Sequence, residues 1–343
     1  MSKKKVAAIN IGSSSVNIAF RDEKDNIKKL SETDIDSGHS EKVIELLKKS
    51  GLPSDVVLCH RVVHGGKRTS PVRLTESVIE SLKKWEGVDG IHMIPELSVI
   101  QSLQDSFEQY AYFDTSFHQT IPKERTMYAI PEKYRDAGVR KYGFHGLSVK
   151  KASREKGEGI VLHLGSGCSL TAVQDGVSMD TTMGFTPLAG TAMRTRPGSI
   201  GPGVVAWLSK HEDDIFNFLN TECGWEAVAE TKGFKDIVSS GKTKDVEATR
   251  LFVESVSREL HMLLRTVPDI SYLVFTGGVG EHNAELRHRI CLSIGPYKVG
   301  IDPDKNSNNS SKISTEDSDL DVYVFVAREE ELMIEEVEKC ISK

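Results

Sequence analysis

Residues Ala8 to Phe20 read AINIGSSSVNIAF. Ala8, Ile9 and Ile11 lead into Gly12, three serines follow, and Val16, Ile18 and Phe20 alternate on the way out. Alternation on both sides of a small-residue turn is the pattern of two strands joined as a hairpin, with hydroxyls at its tip. A Walker loop would need GK[ST] running into a helix, and neither is present. Two readings of the tip stay open. It is either an ordinary polar turn or a phosphate-facing one, because backbone N–H groups and serine hydroxyls donate to phosphate oxygens without a helix dipole.

The pattern recurs at Gly159 to Gly176, GIVLHLGSGCSLTAVQDG: an apolar strand, a turn of Gly165, Ser166, Gly167 and Cys168, and a strand out. Two like hairpins about one domain length apart point to a duplicated unit, one per domain. The chain of 343 residues, 38% hydrophobic and 27% charged, is long enough for two domains with sizeable cores. Its net charge of −6, with both signs mixed along the chain, argues against nucleic acid or an acidic membrane as partner. The apolar run after SKKK is too short for a signal peptide, and no run approaches the roughly 20 residues of a membrane span, so a cytoplasmic location is expected. The five cysteines show no CxxC spacing and are read as plain buried thiols.

Further along, Val56 to Val63 (VVLCHRVV) reads as a strand ending at Gly65 and Gly66, and Thr75 to Trp85 as an amphipathic helix capped by Thr75. Val246 to Arg265 is the longest helical pattern and precedes the strand SYLVFTGG. Helix, buried strand and glycines in that order belong to an α/β sheet. The polar stretch Asp302 to Asp319 is expected to be a solvated loop, followed by a strand, DVYVFVA, and a helix from about Glu329.

Four stretches concentrate groups suited to phosphoryl transfer: HRVVHGG (His60 to Gly66), FDTSFHQT (Phe113 to Thr120), KYGFHG (Lys141 to Gly146) and TRPGSIGPG (Thr195 to Gly203). Each follows or ends an apolar run, where the loops of an α/β sheet carry ligands. His60 and His64 do not make a metal pair, since on a strand that spacing separates them by about 13 Å. Singly, Arg61, Asp114 and His145 have bland explanations as a solvated arginine, a turn former and a core histidine. Together with Arg196 they supply two cations, a carboxylate and an imidazole beside glycine-rich turns.

In order, IN-x-GSSS, HRVVHGG, FDTSFHQT, GVRKYGFHG, HLGSG, MGFTPL, TRPGSI, FTGGVGE and EEEL resemble the motifs of the acetate kinase family, within the superfamily of actin-like ATPases, sugar kinases and Hsp70 proteins. The resemblance implies an α/β fold of two ribonuclease-H-like domains flanking a nucleotide cleft, residues 1–117 plus 331–343 and residues 118–330. It implies reversible phosphoryl transfer from ATP to acetate, giving acetyl phosphate and ADP, with Mg²⁺ or Mn²⁺ as cofactor and a homodimeric assembly. Other short carboxylates (propionate or butyrate), pyrophosphate as donor, or a non-catalytic nucleotide-binding or acyl phosphate-binding role are the alternatives.

Carried over by motif, Asn10 and Glu330 are expected to hold the metal or its waters. Arg61 and Arg196 would clamp the carboxylate and the in-flight phosphoryl group, Asp114 would position the nucleophile, and His145 would stabilise the equatorial oxygens. Val63, Phe144 and Pro187 would form the apolar acyl pocket. Ser13, Asn17, Gly165, Ser166 and Gly167 would face phosphate, Gly277, Gly278 and Gly280 would line the adenine site, and Gly233, Phe234 and Lys235 would lie near the ribose. Departures from the family pattern cluster at Asn17, Ser166, Gly201, Gly233, Lys235 and His282, and Glu96 falls where the acyl pocket is expected to be apolar.

Overall fold

The hairpin of the opening stretch consists of β1 (Val6–Ile11) and β2 (Ser15–Arg21), paired antiparallel with Asn10 opposite Asn17. The structure is a computed structural model and describes residues 4–12, 15–35, 38–154 and 156–342, so Ser13 lies outside it. The sheet continues through β3 (Ile27–Thr33), β4 (Val57–Val62), β5 (Val72–Arg73) and β6 (Gln109–Phe113) in the order β3-β2-β1-β4-β6-β5. Strands β1, β4 and β6 run parallel. Alternate residues of β1 serve two cores. Ala7, Ile9 and Ile11 pack with Ile18, Phe20 and the helix His39–Ser50, whereas Val6 and Ala8 pack with Cys59, Tyr112 and the C-terminal helix Glu329–Ile341. Burial on both faces explains why β1 reads as a near-continuous apolar run, with Asn10 its only half-exposed residue.

The second hairpin, β7 (Glu158–Leu164) and β8 (Cys168–Gln174), lies in a sheet completed by β9 (Val177–Thr181), β10 (Tyr272–Thr276) and β11 (Asp321–Val324), ordered β11-β10-β7-β8-β9. Its three-strand meander followed by two parallel strands repeats the β3-β2-β1-β4-β6 order of the first sheet. The helix Thr243–Leu264 covers β8, burying Ala248, Phe252, Val256, Leu260 and Leu263 at helical spacing.

Contacts divide the chain into one unit of Met1–Gln119, Phe144–Leu147 and Arg328–Lys343 and another of Thr120–Gly143 and Ser148–Ala327. The segment Phe144–Leu147 and the residues Arg328 to Glu330 thus pack with the first unit, unlike in the expected division. Leu147 enters its core, and the Gly146 N–H donates to the Asp114 carbonyl at 2.8 Å.

The stretch Asp302 to Asp319 corrects the sequence reading. It contains a helix, Pro303–Ser307, and buries Asn306 and Ile313. The cause is Arg287, whose side chain is fully buried: it donates to Gly280 O, Glu281 O, Asn306 Oδ1, Asn306 O and Asn309 Oδ1. An Asn-rich stretch looks solvated in composition, but amide and carbonyl oxygens are what a buried guanidinium requires. Cys59, Cys168 and Cys291 are buried, Cys223 and Cys340 half-buried, and all five are unbridged. Among the described residues, no helix is long and apolar enough to cross a membrane.

Candidate active site

In the first unit, three parallel strands end at one edge with polar side chains. Arg61 on β4 donates from Nε and Nη2 to the two carboxylate oxygens of Asp114, at 2.9 and 2.5 Å, and from Nη1 to Asn10 Oδ1 at 3.1 Å. Asp114 directly follows β6, its own N–H bonded to Val62 O. This bidentate pair fixes the guanidinium plane. Three of the five N–H groups are thereby used, leaving two for a ligand. Burial alone would weaken the charge on Arg61, but the carboxylates of Asp114, Glu329 and Glu96 outweigh it and hold the guanidinium protonated.

Val63 and Phe144, assigned to the acyl pocket, are both buried in this unit. Glu96, on the helix Gly90–Ser102, is also buried, and its Oε2 accepts from the Val63 N–H at 3.0 Å. Its Oε1 has no hydrogen-bond partner among the described residues. Burial pushes the Glu96 carboxyl well above its ordinary range, with Arg61 and the Val63 amide pulling the other way. Glu96 is thus held by the backbone that follows β4, and in neutral form it would not repel an incoming anion. His64 stacks on Trp85 with ring centroids 3.9 Å apart and meets Phe144 edge-on. Burial depresses His64 to about 3 and His60 to about 4, so both are neutral core groups.

The residues around His145 are built for close approach. His145 has φ 59°, in the left-handed region that a non-glycine residue rarely occupies. A Cβ on Gly146 would stand 2.2 Å from Asp114 O. His145 thus sits in the left-handed region beside a Gly146 that packs against the Asp114 carbonyl with no room for a Cβ.

The acidic start of the C-terminal helix separates two roles that its sequence EEEL leaves merged. Glu329 Oε2 lies 3.6 Å from Arg61 Nε, and burial pushes its carboxyl up to about 7 against the pull of that arginine. Glu330, buried, is bonded by Lys29 Nζ at 2.9 Å. Glu329 is the residue missed from sequence, because the rotation of a helix shows only in three dimensions. Asn10, Glu329 and Glu330 offer oxygen donors alone, the set a hard divalent cation takes. No cluster of three His, Cys, Asp or Glu side chains suited to a metal occurs among the described residues.

In the second unit the groups are mostly backbone. Gly165 N–H closes the hairpin tip onto Gly167 O at 3.0 Å, with Ser166 at its apex. Arg196, half-buried, donates from Nη1 to the carbonyl of buried Pro187 at 3.3 Å, joining two expected site residues. Gly233, with φ 86°, precedes a short helix, Phe234–Ser239, whose Phe234 ring packs on Trp225 and Phe252 while Lys235 is exposed. Of the expected adenine-site glycines, Gly277 answers to the fold: its φ is 77°, and a Cβ would lie 2.7 Å from Leu164 O. Gly278 faces open space, with nothing within 4 Å of a Cβ. Asn17 is described on β2 and Gly280 in the short helix Gly277–His282, where Arg287 bonds its carbonyl.

Comparison with known proteins identifies the family. The acetokinase family profile matches residues 4–336. The acetate kinase of Rickettsia akari is 34% identical over 336 residues, covering 92% of this chain and 87% of the relative. That of Nitrobacter hamburgensis is 36% identical, covering 82% and 74%. Among solved structures, a propionate kinase from Francisella tularensis superposes with a TM-score of 0.87 at 29% identity, covering 98% of each chain. The acetate kinase of Porphyromonas gingivalis gives 0.82 at 26% identity, covering 99% of this chain and 100% of the other. The two like-ordered sheets are those of the actin-like ATPase fold, and with the match running nearly end to end the chain belongs to the acetokinase family.

Proposed function

We propose that this chain catalyses the reversible transfer of the γ-phosphoryl group of ATP to acetate, giving acetyl phosphate and ADP. The observation that carries the reading is Arg61, oriented bidentately by Asp114 and supported by Asn10, with two N–H groups left over. Phosphoryl transfer asks mainly for alignment and charge neutralisation. The acceptor is already an anion, so no general base is needed. The acetate oxygen attacks the γ-phosphorus, the bond to the β–γ bridging oxygen breaks, and the bridging oxygen leaves on ADP. Arg61 and Arg196 neutralise the carboxylate and the equatorial oxygens, and His145 donates to the latter. Asp114 acts through Arg61, whose plane it fixes, rather than as a proton acceptor. Asn10 and Glu330, with Glu329 beside them, would hold Mg²⁺, which when bound supplies charge neutralisation at the nucleotide phosphates.

Val63, Phe144 and Pro187 would enclose the methyl group. The turn at Gly165, Ser166 and Gly167 would receive phosphate, Gly278 the adenine, and Phe234 with Lys235 the ribose side. Propionate is the second reading, favoured by the likeness to the Francisella tularensis propionate kinase. A nucleotide-dependent enzyme with five unbridged cysteines suits the reducing cytoplasm, and a homodimer is the expected assembly.

The test is a panel of formate, acetate, propionate and butyrate with ATP and Mg²⁺, the acyl phosphate trapped with hydroxylamine. ATP, GTP and pyrophosphate are then compared as donors. Fastest product formation with acetate and ATP is expected. Absence of hydroxamate from every acceptor would leave a binding role instead, and faster turnover on pyrophosphate would reassign the donor.

A further inference from the structure

Lys29 has no part in the assignments above, yet its place in the sheet is specific. Asn10 stands opposite Asn17, Asn17 opposite Ser31, and Ala19 opposite Lys29. Residues opposite one another or two apart on a strand share a face. Lys29, Asn17, Asn10 and Arg61 therefore lie on one face across four adjacent strands, the face covered by the C-terminal helix. Lys28, one residue away, points to the opposite face, opposite Phe20.

Lys29 reaches along that face to Glu330, in the first turn of the helix, with Nζ 2.9 Å from Oε2. The partners differ in exposure: the Lys29 side chain is 48% exposed and that of Glu330 10%. A buried carboxylate is thus neutralised by a half-solvated ammonium group. Removing Lys29 would leave that largely buried carboxylate without its counter-charge. Arg61 is bonded to Asp114 and Asn10, and Lys29 is a second cation on this face, bonded to the expected metal-holding Glu330.

We propose that Lys29 is a phosphate-binding residue of the phosphoryl-transfer site. Its ammonium group pairs with Glu330. When the metal–nucleotide complex binds and Glu330 turns to the metal, Lys29 Nζ is released to donate to a nucleotide phosphate oxygen. A lysine suits such an exchange, being a compact charge on a flexible four-carbon stem. This rests on the reading of Glu330 as a metal-holding residue. It adds a cation to the first unit that no motif announced.

The test is equilibrium binding of ATP, with and without Mg²⁺, to wild type, Lys29→Met, Lys29→Arg, Lys28→Met and the double variant Asn17→Lys/Lys29→Met. Binding is followed by calorimetry, and acetyl phosphate formation is measured in parallel. Lys29→Met should bind MgATP about tenfold more weakly and turn over at least tenfold more slowly, while Lys29→Arg stays within about threefold of wild type and Lys28→Met is unchanged. Asn17→Lys places an ammonium group one strand over on the same face and should recover most of the lost affinity. A merely structural ion pair with Glu330 would not be rescued in that way. Wild-type affinity in Lys29→Met overturns the proposal, as does a loss that Asn17→Lys fails to recover. Because binding is read directly, the outcome for Lys29 stands even if the wild type phosphorylates none of the carboxylates, a result that would count against the proposed function alone.

Discussion

The two sheets share one strand order but spend it differently. Ile9 pairs with His60 in the first, and Leu162 with Phe275 in the second, each two residues before the end of its hairpin strand. Arg61 and Thr276 therefore occupy corresponding positions. The first unit puts a guanidinium there, held by Asp114 from the neighbouring parallel strand. The second puts a buried threonine, followed by Gly277 and Gly278. One edge presents charged side chains locked by ion pairs, the other backbone and, at Gly278, open space. Substitution should accordingly hurt the first edge by removing charge and the second by adding atoms.

The largest expected effect is on two arginines, Arg61 on the charged edge of the first unit and Arg196 in the second. Arg61→Ala or Arg196→Ala should lower turnover by a factor on the order of a thousand or more, with ADP binding changed far less, because each removes a cation from developing negative charge. Initial rates and ADP titration check this, and near wild-type turnover in either variant would break the division of labour.

On the glycine edge, two adjacent positions should fail in opposite ways. Gly277→Ala forces a Cβ to within 2.7 Å of Leu164 O at φ 77°, a strain of about 1–3 kcal/mol that should lower the melting temperature by several degrees. Gly278→Gln meets no protein atom, so it should leave melting unchanged while raising KM for ATP roughly tenfold and sparing that for acetate. Thermal melts and steady-state kinetics on the pair sharpen the contrast. A melting loss at Gly278, or an unchanged KM for ATP, would remove the adenine assignment.

The smallest effect belongs to Glu96. Its folded-state pKa is raised above the ordinary 4.5, so its favourable contribution is present in acid and is lost as pH rises through the raised value. Glu96→Gln keeps an acceptor for the Val63 N–H and cannot ionise. The variant should hold its melting temperature better than wild type toward alkaline pH, by roughly 2–4 °C for each kcal/mol relieved, with KM for acetate changed less than about threefold. A pH series of melts decides it, and parallel curves for the two proteins would mean that Glu96 is already ionised.

Local pattern carried much of the molecule. Alternation around Gly12 and Gly165 marks both hairpins, because side-chain period two is a property of any half-buried strand. Thr75 caps the helix Glu76–Lys83 by accepting from the Val78 N–H, as its position before an apolar-periodic run implies. Longest-helix and strand positions at Thr243–Leu264 and Tyr272–Thr276 follow the same logic.

What sequence alone determined, then, was the repeated α/β unit and the family motifs, and it named Arg61, Asp114, His145 and Arg196 as candidates for phosphoryl transfer. Which groups meet was decided only by the tertiary structure. Helix rotation chose Glu329 for Arg61 and Glu330 for Lys29, although both sit in one run of glutamates. Sheet register carried Lys29 to the face of Asn10, and a buried arginine turned the Asn-rich stretch near Asn306 into packed structure. The reason is physical: periodicity is written in neighbours along the chain, whereas charge pairing and hydrogen-bond satisfaction depend on residues tens to hundreds of positions apart that only packing brings together.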